Sequence, residues 1–478
     1  MTTSLQFKTR FCPSPTGLMH LGNLRTALFN VLLVQSEQAQ GKRGHFLLRI
    51  EDTDLARSKD EYVEKLKRDL DWLGLHWQEG PDVGGEHSPY YQSERVSIYE
   101  KYYAQLLSQG QAYYCFCTEQ TLSITRKAQL ASGQPPRYPG TCRHLTAEQI
   151  QQKRATGMVP TLRFTIPDDT EVRFEDLIQG AKVFAANDIG DFIIQKQDKS
   201  ATFMFCNAVD DALMGVTHAL RGEDHLTNTP RQILILQALN LPVPHYGHMP
   251  LIVGQDGKPL SKRNGSMSIE ELRGEGYWPL AILNYLSRLG HHYVNDRFLS
   301  LLELGNEFSV SHIGRSPARF DLHQLHHWQK EAVLHSERHT LWHWMKDEVE
   351  SIIPVDKHDA FVETIRENIL FPADAKNWAI ALFRAFDLST VRDILKEAGS
   401  DYFKIAKMAA EEKGIDAAHM IQKIKEGTGK KGKGLFLPLR LALTGRSDGP
   451  ELAKLCELLG EEKIVERLQQ VVHYVKNL

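Results

Sequence analysis

The sequence has little of what would make a membrane, secreted or polyanion-coating protein. No apolar run approaches the roughly 20 residues needed to cross a bilayer. The N-terminus, MTTSLQFKTRFCPSP, lacks the basic, apolar and small-residue order of an export signal, so the chain is expected in the cytosol. Six cysteines in 478 residues are too few for a disulfide framework. Two of them stand together as CFC, which leaves metal binding or simple burial. A net charge of −3 provides no whole-chain attraction for a polyanion, and any such surface must come from local basic patches. What is present is an ordinary globular composition, 42% hydrophobic and 24% charged, in a chain long enough for roughly two to four domains.

Periodicity organises the first hundred residues. Leu5, Phe7, Thr9 and Phe11 alternate as in a strand, and the Pro/Gly cluster after them ends it. The period then changes, with Leu24, Ala27, Leu28, Val31 and Leu32 at helical spacing. A second strand, His45 to Ile50, runs into the acidic EDTD. The next helix carries a capping box at Ser58 and Glu61 and a stripe at Val63, Leu66, Leu70 and Leu73. Alternating strands and helices predict a parallel α/β sheet. Residues 96–190 break this rhythm and read as an insertion. The α/β pattern resumes with DFIIQK, VTHALRGEDH and a helix signalled by Thr229 as N-cap and Pro230 in the first turn. Beyond about residue 325 the strand signals vanish, which predicts a separate helical domain.

Two loops invite chemistry. In PSPTGLMHLGN, Gly17 and Gly22 allow close approach, His20 and Asn23 offer polar groups, and the free amides of the helix start suit a phosphate. A tight turn with a surface histidine is the plain alternative. In GKPLSKRNG, Lys258, Lys262 and Arg263 lie between small residues, as they also would in a solvated basic turn.

Together these loops resemble the HIGH and KMSKS signatures of class I aminoacyl-tRNA synthetases, in the order and separation of the glutamyl branch. RFCPSPTG, RIEDTD, GVTHALRGEDHLTNTPRQ and LPLRLALTG also match glutamyl-tRNA synthetases, so the resemblance covers nearly the whole chain. It implies a Rossmann-type parallel-sheet α/β catalytic domain in two halves, 1–95 and 191–250, interrupted by an acceptor-stem-binding insertion at 96–190. A KMSKS-loop and stem-contact helical domain, 251–325, and an all-α anticodon-binding domain, 326–478, would follow.

The implied reaction is ATP-dependent activation of L-glutamate and transfer to tRNA-Glu, with tRNA-Gln left open as an added or alternative acceptor. The resemblance makes His20 and Lys262 the catalytic donors. Gly17, Gly22, Asn23 and Ser261 join them around ATP and its Mg²⁺. Arg10, Ser14, Glu51 and Arg221 become the glutamate-binding set, and the family's pocket tyrosine is Phe203 here. Arginine suits a carboxylate and Glu51 an ammonium, although isolated arginines more often serve structural ion pairs. A monomer is implied. The first lysine of the family's KLSKR is replaced by Pro259, which stiffens the loop and removes a donor. Pro259 and Phe203 together motivate the competing reading, a catalytically silent tRNA-binding paralogue. A glutaminyl enzyme would carry PEPNG where this chain has PSPTG.

Cys115-x-Cys117 and Cys142-x-His144, 24 residues apart, could hold a tetrahedral zinc, or the cysteines could be buried without a ligand. The same arrangement, with Tyr138 to Cys142 in a Tyr-x-Gly-Thr-Cys context, occurs in some bacterial glutamyl-tRNA synthetases, which implies structural Zn²⁺. Lys423, Lys425, Lys430, Lys431 and Lys433 form a basic segment suited to RNA phosphates, or simply to solvent.

Overall fold

A computed structural model describes residues 7–478 apart from 55, 168, 261–266 and 386, together with the backbone but not the side chain of 187. The chain divides into two compact units, one running to Leu272 and including Ile282–Leu322, the other comprising Arg273–Ala281 and His323–Leu478. No described helix is long and apolar enough to cross a membrane.

The first unit begins with strand β1 (Phe7–Phe11), helix α1 (Leu21–Ala39) and strand β2 (Gly44–Leu48). The strands pair in parallel, Phe7 opposite Gly44 through Phe11 opposite Leu48. Leu24, Ala27, Leu28 and Leu32 are completely buried, as the helical spacing requires. Every residue of β1 is buried, so its alternation does not separate core from solvent. The polar face is also interior: Lys8 Nζ donates to Glu79 Oε2 at 2.7 Å and to Met214 O at 2.9 Å. Such charges are tolerated because each is paired.

Helix α2 (Asp60–Trp72) buries Val63, Leu66 and Leu70, but the expected capping box does not form. The Ser58 amide is held by Asp54 O and the Lys59 amide by Pro15 O, so the helix starts after both, with Lys59 at the N-cap. After helix α3 (Val96–Ser108), strand β3 (Ala112–Cys115) leads to helices α4 (Glu119–Ala131) and α5 (Ala147–Ala155). Strand β4 (Thr161–Phe164), the hairpin β5 (Glu171–Asp176) and β6 (Gly180–Ala185), the short helix α6 (Ala186–Ile189) and strand β7 (Phe192–Gln195) follow. Strands β3, β4 and β7 form an antiparallel sheet.

Helix α7 (Phe203–Leu213), strand β8 (His218–Gly222), helix α8 (Thr229–Ala238) and strand β9 (His245–Met249) restore the parallel pattern, with β8 beside β9. The amide of Thr217 donates to Lys8 O at 2.9 Å, stitching the start of β8 to β1. Pro230 occupies the first turn of α8 as expected, but Asn228 is the N-cap and Thr229 already lies in the helix. Its hydroxyl is committed elsewhere. One apolar cluster, including Tyr99, Tyr103, Phe164, Phe205, Ile235 and Tyr246, joins the insertion to these elements. Each such side chain contributes about 1.5–3 kcal/mol on burial.

The second unit is helical, from Leu322–His335 to Glu461–Lys476, around a core that includes Leu341, Phe361, Trp378, Phe403, Leu439 and Leu468. In LPLRLALTG the glycine ends its helix: Gly445 adopts φ +68°, the left-handed conformation that closes a helix C-terminus cheaply only without a side chain.

Candidate active site

Strands β1, β2, β8 and β9 end around one cavity of about 370 Å³. In open α/β sheets this carboxyl end is where ligands bind, because the loops leaving the strands converge there. Arg10 comes from β1, Ser14 from the loop after it, Glu51 from just beyond β2, Phe203 from the start of α7 and Arg221 from β8. All five line the cavity, with Gly22 and Asn23 from the first turn of α1.

Arg10 and Arg221 face this space under different constraints. Arg10 donates through Nε and Nη2 to Asp211 at 3.3 and 3.4 Å. Arg49 donates through Nη2 to the same carboxylate at 2.7 Å and to Asn207 Oδ1 at 2.9 Å. Burial works against the Asp211 charge, but Arg10 and Arg49 outweigh it and hold the pKa below its ordinary value. Arg221 instead bonds to neutral groups: Nε to His248 Nε2 at 3.1 Å and Nη2 to Thr229 Oγ1 at 2.7 Å. Its Nη1 is buried without a hydrogen-bond partner among the described residues. Burial lowers its pKa to about 10, which leaves it a cation at neutral pH. A buried guanidinium nitrogen with no acceptor is costly, and a ligand carboxylate would supply one.

Glu51 accepts from Ser14 Oγ at 2.8 Å. Burial pushes its pKa up to about 7, with the Ser14 bond and Arg49 opposing the shift. Phe203 stacks on His225, ring centroids 5.1 Å apart. Burial, with the Arg221 charge nearby, brings the His225 pKa down to about 4, so this stack is neutral.

At the helix start a Cβ on Gly17 or Gly22 would meet nothing within 4 Å, so the space above the loop is open. His20 is the N-cap of α1; its Nδ1 is buried without a partner among the described residues, and it is not among the residues lining the cavity. His20 and Ser268 form an antiparallel bridge, and the Ile269 amide donates to Met19 O at 3.0 Å. The HLGN loop is thus fastened to the segment just beyond 261–266. Ser261, Lys262 and Arg263 lie outside the described residues. Pro259 bridges Val253 across the Asp256–Gly257 turn, so it stiffens one arm of a hairpin leading to them.

In the insertion, the sulfurs of Cys115, Cys117 and Cys142 lie within 4.8 Å of one another, Cys117 and Cys142 at 3.7 Å. A tetrahedral metal with ~2.3 Å metal–sulfur bonds sets its ligands about 3.8 Å apart, so the trio fits such an ion. His144 does not join them: it is exposed and outside the group. The oxygen beside the thiols is the hydroxyl of Tyr138, 3.4 Å from both Cys115 and Cys117 Sγ. Tyr138 also accepts the Cys142 amide at 2.9 Å, which turns its ring inward, whereas Arg143 donates to Ile166 O at 3.2 Å and His144 is exposed. Arg163 lies 3.8 Å from the Tyr138 ring centroid and brings the positive charge that thiolates favour.

Of the basic C-terminal segment, Lys425, Lys431 and Lys433 are exposed, Lys423 pairs with Glu412, and Lys430 donates to Glu397 O. Sequence reasoning missed Asp211, Arg49, Thr229 and His248, and also Arg25, which lines the cavity from α1 and donates to Leu289 O at 3.1 Å. The tandem Asp210–Asp211 inside the otherwise apolar α7 was the available signal for the first. Nothing local marks His248 as a partner of Arg221.

The match to known proteins covers both units. Residues 6–327 match the family described as tRNA synthetases class I (E and Q), catalytic domain, and residues 379–472 match an anticodon binding domain. The chain is 53% identical over 469 residues to glutamate–tRNA ligase 2 of Nitrosococcus oceani, covering 97% of this chain and 98% of that protein. It is 53% identical over 465 residues to glutamate–tRNA ligase 1 of Coxiella burnetii, covering 97% and 99%. Its fold is similar to the crystal structure of a glutamate tRNA ligase from Elizabethkingia meningosepticum in complex with its amino acid, with TM-score 0.88, 27% identity and coverage of 98% and 99%.

Proposed function

The chain belongs to the class I tRNA synthetases of the E and Q branch, and we propose that it joins L-glutamate to tRNA-Glu at the cavity that Arg10, Ser14, Glu51 and Arg221 line. The observation that carries the substrate is the unpartnered, buried Nη1 of Arg221 beside a second arginine and a carboxylate. Arg221 and Arg10 receive the two carboxylates of glutamate, and Glu51 receives its ammonium. Glutamine would present amide donors to guanidinium donors and lose the charge-assisted bonds, so glutamate is selected.

The α-carboxylate attacks the α-phosphorus of ATP and diphosphate leaves. A ribose hydroxyl of the terminal adenosine then attacks the glutamyl-adenylate carbonyl, releasing AMP. These steps need no protein nucleophile, only donors placed where charge gathers. The free amides at the start of α1, with Gly17, Gly22, Asn23 and His20, serve one side of the phosphates; Ser261 and Lys262 serve the other. Mg²⁺ enters with ATP. Pyrophosphate exchange with tRNA present should fall about 10²- to 10³-fold in Lys262→Ala while substrates still bind. Near-normal exchange would refute that role.

Cys115, Cys117 and Cys142, with Tyr138, would hold Zn²⁺, which organises the loop they share and takes no part in the reaction. Protein purified without chelators and containing no zinc would contradict this. The deciding experiment for the whole reading is charging of purified tRNA-Glu and tRNA-Gln, separately, with labelled glutamate. Glutamate on tRNA-Glu is expected, charging of tRNA-Gln would widen the acceptor range, and charging of neither would overturn the reading.

A further inference from the structure

Asp176 ends strand β5 in the insertion, far in sequence from the strand that carries Arg221, yet the two are joined through one buried side chain. His248, on β9, is fully buried, as is the Asp176 carboxylate. Asp176 Oδ2 lies 2.5 Å from His248 Nδ1. Its Oδ1 accepts the amides of Ile178, Gln179 and His248 at 2.9, 2.7 and 3.2 Å. The other ring nitrogen, Nε2, lies 3.1 Å from Arg221 Nε and 2.9 Å from Thr229 Oγ1. Gly247 keeps β9 tight against its neighbours, since a Cβ there would stand 2.5 Å from Leu220 Cδ2 and 3.4 Å from Leu177 Cβ.

We propose that Asp176 and His248 are positioning residues for Arg221: the carboxylate fixes the imidazole proton on Nδ1, and the bare Nε2 receives the Arg221 Nε–H and aims the guanidinium at the glutamate side chain. The inference rests on the ligase reading above. An ionised carboxylate only accepts, so the nitrogen facing it carries the proton. Burial keeps the His248 pKa below its ordinary value although Asp176 opposes the shift, so the ring is neutral and Nε2 has a lone pair to offer. Thr229 completes the arrangement by accepting from Arg221 Nη2 while standing beside Nε2, with its own proton directed to His225 O at 3.3 Å. Arg221 is thereby oriented by neutral acceptors, and its charge stays available to a ligand. Arg10, by contrast, shares its charge directly with Asp211.

Asp176→Asn tests this with little change of shape. Its Oδ1 can keep all three amide bonds, while an NH₂ replaces the oxygen facing His248. The imidazole proton must then move to Nε2, where it confronts the Arg221 Nε–H donor to donor. In pyrophosphate exchange with ATP and tRNA present, the glutamate KM should rise about 10- to 100-fold. The ATP KM and the thermal midpoint should remain near those of the unsubstituted protein, kcat at saturating glutamate should fall less than threefold or so, and preference for glutamate over glutamine should shrink. His248→Phe, of similar volume, should raise the glutamate KM to a similar extent. An unchanged glutamate KM in Asp176→Asn, or equal rises for glutamate and ATP, would overturn the positioning role. The unsubstituted protein separates this from the larger reading: no glutamate-dependent exchange there would defeat the ligase assignment itself.

Discussion

Around the strand-end cavity Arg10 and Asp211 meet across 201 positions, Arg49 and Asp211 across 162, and Asp176 and His248 across 72. In the thiol cluster Cys117 and Cys142 are 25 positions apart, and Cys115 and Tyr138 are 23 apart. Closing a loop of a few tens of residues costs only slightly less than closing one of two hundred, so chain entropy does not explain the contrast. Desolvation does. Arg10, Arg49 and Asp211 are almost wholly buried, and each survives only because an opposite charge from a distant part of the chain is in place. The thiols are weakly polar and need no such partner, so the end of β3 and the short segments on either side of α4 suffice. One site is a product of sheet order, the other of a local turn.

The contrast can be broken most sharply at Arg221. Losing one side of a buried, charge-assisted contact costs about 2–5 kcal/mol, so Arg221→Ala should lower kcat/KM for glutamate in pyrophosphate exchange about 10²- to 10³-fold. A loss below about tenfold would mean that recognition does not reside in the long-range site. On the local side, Tyr138→Phe should weaken zinc about 10- to 100-fold in chelator competition, while His144→Ala leaves it unchanged. Equal losses in the two variants would restore the histidine to the cluster.

A smaller effect comes from pH. Glu51 is an acid with its pKa raised to about 7, so it is charged above that value and protonated below it. Only the carboxylate can take the substrate ammonium, so the glutamate KM should rise as pH falls, roughly tenfold between pH 8 and 6. Glu51→Gln should flatten that profile at a uniformly high KM. The smallest effect is expected at Phe203. Phe203→Tyr adds one hydroxyl at the cavity wall, worth about 0.5–1.5 kcal/mol, and should lower the glutamate KM about 2- to 10-fold. No change would show that the hydroxyl finds no ligand atom there.

Legibility followed the same division. The stripes of α1 and α2, the opening strand–loop–helix unit and the three thiols were readable because period and spacing are local quantities. The cavity residues were readable only through their resemblance to a family, since nothing in an isolated arginine distinguishes a carboxylate clamp from an ion pair. Errors arose where a local rule met tertiary competition. Ser58 lost its capping role because backbone carbonyls from Asp54 and Pro15 held the chain past it. Thr229 gave its hydroxyl to Arg221 and His248 rather than to a helix amide. His144 stands exposed and apart from the three thiols.

By itself the sequence determined the α/β opening, the helical C-terminal portion, the reactive loops and the family that unites them, because these depend on neighbours within a few turns or on whole motifs. Only the tertiary structure decided which buried charge faces which. Arg10 and Arg221 carry the same side chain on similar strands, yet one is paired with a carboxylate and the other is held by a histidine and a threonine with one nitrogen left bare. That distinction depends on strand order and on which groups are desolvated together, and a buried charge takes its character from the groups that replace its water.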